Sequence, residues 1–143
     1  MAGGVRTGGC QCGAVRYELS GTPLKLYVCH CRDCQKQTAS AFGVSVIVRP
    51  GDFRHVRGEV KSWTRIGDSG RRLRVMFCPL CGTRVWHDRV GIDWPTLSIE
   101  GGSLDEPPDL SRAVHVWTLR KLPGVVIPEG AAYFLKDETS APT

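Results

Sequence analysis

Several short segments of the chain alternate apolar and polar residues or are rich in β-branched and aromatic side chains. Strands with this period of two bury one face and leave the other face polar. Clusters of Gly, Pro and Asp, which are typical of turns, separate the segments. The pattern therefore predicts strands at Val15–Leu19, Val44–Val48, Glu59–Thr64, Arg72–Phe77, Thr83–His87, Thr96–Glu100 and Ala113–Thr118.

One segment has the composition of a helix. It runs from Asp33 to Ser40, directly after a CHCxxC motif, and it is polar and contains good helix formers. Its length allows two turns at most. The predicted fold is therefore mainly β, with one short helix after the CHCxxC motif.

Length and composition predict one compact domain. The chain has 143 residues, of which 41% are hydrophobic and 23% charged, close to the globular average. We expect this domain to cover residues 1–135 and to be followed by a polar, flexible tail at 136–143. The longest apolar run, Phe42–Val48, is too short to span a bilayer, and the N-terminus has no apolar signal region. These features predict a cytoplasmic protein with no membrane partner.

The seven cysteines are the unusual feature of the composition. They occur in CxC, CHCxxC and CxxC motifs, whose tight spacing and odd total favour metal binding over a secreted disulfide framework. The formal net charge of +5 falls to about +2 once seven thiolates and two zinc ions are included. The basic composition is therefore weak support for a nucleic-acid partner.

Two of the motifs predict a structural zinc site. Each places two thiols on a tight turn, and a glycine after the second cysteine lets the backbone fold around an ion. Two such zinc knuckles can supply a closed site of four sulfurs that joins distant parts of the chain. The four residues are Cys10, Cys12, Cys78 and Cys81.

The remaining three cysteines predict a site of a different kind. Cys29, Cys31 and Cys34 leave no eighth cysteine to complete a second tetrahedron, and a zinc ion with three protein ligands keeps an open position for chemistry. Spacing alone also allows this cluster to recruit one member of the CxC pair, and it allows both sites to be purely structural. A histidine could equally supply the fourth ligand; the candidates are His30, His55 and His87. His30 is the weakest of them, because its ring should point away from an ion shared by its two neighbours.

The cysteine motifs and their order resemble a known family. The segments GGCQCGAVRYEL, CHCRDCQKQTASAFG, FCPLCGTRVW and GGSLDEPP are similar to those of the glutathione-dependent formaldehyde-activating enzymes, a family that includes centromere protein V-like proteins. The resemblance covers roughly residues 8–128. It implies a β-tent fold with sheets around a structural zinc held by Cys10, Cys12, Cys78 and Cys81. It also implies a second zinc on Cys29, Cys31 and Cys34, near a cleft, and thus two Zn²⁺ per chain.

The same resemblance implies an activity. The founding reaction of the family condenses glutathione with formaldehyde to S-hydroxymethylglutathione and is classed with the carbon–sulfur lyases. The chain departs from the common family pattern at two places. Ala39 stands where a glycine is common, and Lys121-Leu122-Pro123-Gly124 stands where the family often carries an aromatic residue.

Two functional hypotheses follow. The first is a zinc-dependent carbon–sulfur lyase-type enzyme that acts on a small thiol adduct, with glutathione and an aldehyde as its small-molecule partners. Its catalytic metal would be held by Cys29, Cys31 and Cys34. The alternative is a non-catalytic, zinc-stabilised module that binds protein or nucleic acid. The two differ in one property, because only the enzyme needs an exchangeable coordination position.

Overall fold

The computed structural model of the protein describes residues 4–67 and 70–138. The chain divides into two compact units. The first contains the residues up to Leu24 and those from Val46 to Pro108, and the second contains Lys25–Ser45 and the residues from Asp109 onward.

Strands are the commonest regular element of the described chain. In chain order they are β1 Arg6–Gly9, β2 Arg16–Leu19, β3 Lys25–Cys29, β4 Gly43–Val48, β5 Phe53–Arg57, β6 Lys61–Ile66, β7 Arg72–Phe77, β8 Arg84–Arg89, β9 Leu97–Glu100 and β10 Val114–Val116. The α-helix described is α1, Arg32–Thr38. Short 3₁₀ turns lie at Pro50–Asp52, Gly101–Ser103, Leu110–Arg112 and Thr118–Arg120. The prediction of a mainly β fold with one short helix is confirmed, and all seven predicted strands are present.

In the first unit, β1, β2 and β5 form an antiparallel three-stranded sheet in the order β1-β2-β5. A second antiparallel array runs in the order β9-β8-β7-β6. Between these elements Trp86 of β8 packs against Phe53 and Tyr17, with ring centroids 4.8 and 6.3 Å away. Aromatic and aliphatic side chains from both sheets therefore form the core of this unit.

Strand β1 was not predicted, because two of its four residues are glycines, which are depleted in strands. The pairing with β2 explains the first of them. Gly8 stands opposite Tyr17, and a Cβ at Gly8 would lie 2.3 Å from the Tyr17 hydroxyl oxygen. A side chain is therefore excluded at this position by the close approach of the buried tyrosine.

The second unit contains β3, β10 and α1, while β4 begins in this unit and ends in the first. Strands β3 and β10 are parallel, with Val116 opposite Cys29. The backbone of His115 also bonds to a later segment, donating to Ala132 and accepting from Phe134 at 2.9 Å each. This segment runs towards the predicted polar tail at 136–143. Glu138, the last described residue, bonds to Lys25 and Tyr27, and the rest of the predicted tail lies outside the described residues.

The helix starts one residue before the predicted Asp33 because a cysteine caps it. The Cys31 side chain accepts a hydrogen bond from the Cys34 backbone N–H at 3.2 Å. At the other end Ala39 adopts a left-handed conformation with φ 52° and ψ 38°, which usually requires glycine. The departure at Ala39 therefore lies at the C-terminal cap of the helix.

We expect Ala39→Gly to raise the free energy of unfolding by about 0.5–1 kcal/mol, because glycine adopts the left-handed conformation without steric cost. Urea unfolding measures the change. Ala41→Gly, two residues later at a position without a positive φ, is the matched control and should destabilise slightly by increasing the entropy of the unfolded chain. An Ala39→Gly variant no more stable than Ala41→Gly would contradict the assignment of strain to this cap.

No helix in the described part of the chain is long and apolar enough to cross a membrane.

Candidate metal centres

Two knuckles of the first unit carry the first cysteine cluster. One follows β1, where the Gly13 backbone N–H donates to the Cys10 carbonyl at 3.1 Å. The other lies between β7 and β8, where the Gly82 N–H donates to the Cys78 carbonyl at 2.9 Å. Both glycines have φ near +80°, a conformation that L side chains rarely adopt. The glycine after each cysteine pair thus closes the turn that brings its two thiols together.

The four thiols of these knuckles meet. The sulfur atoms of Cys10, Cys12, Cys78 and Cys81 all lie within 4.8 Å of one another. The Cys10–Cys12 and Cys12–Cys78 sulfur distances are 3.5 and 3.8 Å. A tetrahedral ion with bonds of about 2.3 Å to sulfur requires sulfur atoms separated by about 3.8 Å. The donor set and its spacing therefore fit a zinc ion.

Local hydrogen bonds prepare one of these thiols for a metal. The Cys81 sulfur lies 3.2 Å from the Thr83 hydroxyl. This hydrogen bond, together with backbone donors from Thr83 and Cys12, lowers the pKa of Cys81 to about 5. Because a thiolate is the form that binds metal, Cys81 is ready to act as a ligand at neutral pH.

The second cluster lies in the second unit. Cys29 ends β3, Cys31 caps α1 and Cys34 lies in the first turn of the helix. Their sulfur atoms also lie within 4.8 Å of one another. Gly43 at the start of β4 is close by, because a Cβ at this position would lie 3.6 Å from the Cys34 sulfur. A strand end, a helix cap and a helical turn therefore hold the three thiols together.

The second cluster would need a bound cation for all three of its thiols to ionise. Hydrogen bonding to Cys31 is the largest cause that raises the pKa of Cys29, to about 12. Hydrogen bonds to Cys29 and Cys31 likewise raise the pKa of Cys34. Three thiols so close together cannot all ionise unless a positive charge offsets their repulsion. The donor set therefore fits a thiophilic cation such as Zn²⁺.

The structure separates the cysteines into groups of four and three, and the histidines considered as fourth ligands lie outside both groups within residues 4–67 and 70–138. His30 is fully buried, and its Nε2 lies 2.9 Å from His115 Nδ1. Burial lowers its pKa to about 4. The ring therefore packs within the second unit, as expected for a residue that points away from the ion its neighbours could share. The His55 ring makes an edge-to-face contact with Trp86, with ring centroids 5.2 Å apart.

His87 belongs to a polar cluster that the sequence analysis missed. Its Nδ1 lies 2.8 Å from Glu100 Oε1, and Arg84 Nη2 lies 3.0 Å from the same oxygen. The signal in the sequence was the alternation of Ser98 and Glu100 with two apolar residues in β9. In the structure all four of these side chains are buried. Alternation predicted a polar face exposed to solvent, whereas the structure buries it.

Comparisons with known proteins agree with this arrangement. A crystal structure of a Rhodobacter sphaeroides protein matches with a TM-score of 0.58 and 24% sequence identity, over 77% of this chain and 99% of that chain. At this identity the similarity shows the fold alone. The family model of the glutathione-dependent formaldehyde-activating enzyme matches residues 5–120, a range that includes all seven cysteines. Because this match covers more than half of the chain, the protein belongs to the glutathione-dependent formaldehyde-activating enzyme family.

Proposed function

We propose that this protein is a zinc-dependent enzyme that joins the thiol of glutathione to formaldehyde, a carbon–sulfur bond reaction of the lyase class. The observation that carries the proposal is the second cluster. It brings three thiols within 4.8 Å of one another, and no further Cys, His, Asp or Glu joins them among the described residues. Three protein ligands are typical of catalytic zinc, whereas four are typical of structural zinc.

The proposal gives the two clusters different roles. Cys10, Cys12, Cys78 and Cys81 would hold a structural zinc in the first unit. Cys29, Cys31 and Cys34 would hold a second, catalytic zinc in the second unit. When bound there, zinc supplies a Lewis acid that lowers the pKa of a thiol.

The proposed reaction balances without an oxidant or reductant. The glutathione S–H bond breaks, the sulfur forms a bond to the formaldehyde carbon, and the carbonyl electron pair becomes an O–H bond. One proton leaves sulfur and one reaches oxygen, so the product is S-hydroxymethylglutathione. The substrates are thus a small thiol and an aldehyde.

The chain's own residues hold the second cluster in place. The Gln35 side-chain amide donates to the His30 carbonyl at 2.8 Å and to the Arg120 carbonyl at 2.9 Å. The Thr38 hydroxyl donates to the Cys34 carbonyl at 2.8 Å. The Gln35 bonds tie the helix to His30, between Cys29 and Cys31, and to Arg120, while the Thr38 bond lies within the helix. They restrict the positions of the thiols, and such restriction favours a reactive site of defined geometry.

Two measurements test the proposed function. Native mass spectrometry should find two zinc ions per chain, one of which a mild chelator removes readily. Hydroxymethylation of glutathione, followed by NMR with ¹³C-formaldehyde, should proceed faster with the protein than in buffer, and the acceleration should disappear with the labile ion. A single ion, or two ions that resist the chelator equally, together with no acceleration, would favour the non-catalytic binding module instead.

A further inference from the structure

The four-cysteine cluster of the first unit has a buried half and an exposed half. Cys10 and Cys78 are buried, whereas Cys12 and Cys81 are exposed. Water, chelators and electrophiles reach exposed thiols before buried ones. The loss of an ion held by this cluster should therefore begin at Cys12 or at Cys81, and the structure surrounds these two sulfur atoms differently.

The Cys81 sulfur has more hydrogen-bond donors around it than the Cys12 sulfur. The Thr83 hydroxyl lies 3.2 Å from the Cys81 sulfur, and the backbone N–H groups of Thr83 and Cys12 also donate to it. Among the described residues, the Cys12 sulfur receives a backbone donor from Ala14 and otherwise contacts the other sulfur atoms of the cluster. Because each donated hydrogen bond stabilises the negative charge of a thiolate, Cys81 is the better held of the two exposed ligands.

The Thr83 hydroxyl also joins the two knuckles. The backbone N–H of Gln11, which lies between the two cysteines of the first knuckle, donates to Thr83 Oγ1 at 3.1 Å. When a metal ion is bound, the Cys81 sulfur is a thiolate without a proton of its own. The hydroxyl must therefore be the donor in its contact with that sulfur. One hydroxyl thus accepts from the first knuckle and donates to a thiol of the second.

We propose that the Thr83 hydroxyl is a positioning group of this cluster, which holds Cys81 in place so that a bound zinc ion is lost first through Cys12. The inference rests on the structural zinc of the proposed function. Groups that hydrogen-bond to metal ligands fix the orientation of those ligands, and their removal typically weakens metal binding by about 10- to 100-fold. Thr83 would therefore decide how long the ion is retained and which exposed thiol reacts first.

The zinc-loaded parent protein provides the first test. Limiting iodoacetamide should modify Cys12 before Cys81, because the Cys81 sulfur is stabilised by hydrogen bonds and is therefore the weaker nucleophile. Peptide mapping by tandem mass spectrometry over a time course gives the rate at each cysteine. Modification of Cys81 as fast as Cys12, or faster, would overturn the inference, and this result needs no variant.

Thr83→Val removes the hydroxyl and keeps the branched shape of the side chain. We expect this variant to pass the slowly released zinc ion to a chromophoric chelator about tenfold faster than the parent, and to lose the preference for Cys12 in the alkylation time course. Thr83→Ser retains the hydroxyl, so it should behave like the parent in both measurements. Thr7→Val is the matched control, because it removes a threonine hydroxyl of the same unit whose partner, at 2.6 Å, is Asp105 rather than a cysteine.

The possible results separate this inference from the proposed function. A parent protein that holds no slowly released zinc ion contradicts the structural zinc, and the inference falls with it. If that ion is present but Thr83→Val releases it no faster, the hydroxyl does not position Cys81. The same conclusion follows if Thr83→Ser releases the ion as fast as Thr83→Val. In both cases the inference is wrong, while the structural zinc and the enzyme assignment stand.

Discussion

Replacing Cys81 by serine is expected to lower the thermal unfolding midpoint by about 10 °C or more and to reduce the zinc content from two ions to one. Cys81 is exposed on a turn, so its replacement removes little packing. A serine hydroxyl is a poor zinc ligand, and metal binding to a structural site contributes directly to the free energy of folding. A loss of about 3 kcal/mol corresponds to such a shift in a domain of this size. Differential scanning calorimetry and metal analysis measure both effects.

Leu80→Ser is the matched control for this prediction. Leu80 lies in the same turn and is 79% exposed, but it carries no metal ligand. We expect this variant to keep two zinc ions and a midpoint within a few degrees of the parent protein. Equal midpoints for Cys81→Ser and Leu80→Ser would show that the first cluster does not hold a structural metal.

Replacing Cys34 by serine is expected to lower the activity strongly and the stability only slightly. We expect the hydroxymethylation rate to fall at least about a hundredfold, because the proposed second zinc would lose one of its three ligands. The free energy of unfolding should change by less than about 1 kcal/mol. Serine is smaller than cysteine, and the Cys31 side chain still accepts from the backbone N–H of residue 34. Steady-state assay and urea unfolding on the same preparation separate activity from stability.

Thr38→Ser is a suitable control for the helix. Thr38 lies one turn after Cys34, and its hydroxyl donates to the Cys34 carbonyl at 2.8 Å. Serine retains that hydrogen bond, so both zinc content and rate should stay close to those of the parent. If instead Cys34→Ser unfolds the protein as strongly as Cys81→Ser does, the second cluster is structural and the catalytic assignment fails.

Much of the fold could be predicted because alternation is a local property. The predicted strands alternate apolar and polar residues, as in Arg72–Phe77, or are rich in β-branched and aromatic side chains. The unpredicted strands lack that signal. Phe53–Arg57 is mostly exposed along its length, and Lys25–Cys29 has only one fully buried residue. Such strands form because neighbouring strands offer backbone hydrogen bonds, and these partners are distant in sequence.

The helix shows how a local prediction can be nearly right. Its composition indicated its position, but its first residue depends on the Cys31 thiol, which caps the helix as well as belonging to the second cluster. Its last residue depends on the left-handed backbone of Ala39. Propensity scales describe neither a cysteine cap nor an alanine in that conformation.

By itself the sequence determined the chemistry of the donor groups. Paired cysteines beside glycines form tight knuckles through contacts between near neighbours, so their capacity to hold a metal ion is visible in the motifs. Only the tertiary structure decided which motifs meet. It brought the sulfur atoms of Cys12 and Cys78 to 3.8 Å from each other, although the two residues are 66 positions apart in the sequence. It also placed the histidines outside both cysteine clusters within the described residues. Strand register likewise brought His87 opposite Ser98. Such long-range pairings arise from the packing of the whole chain, which no local pattern encodes.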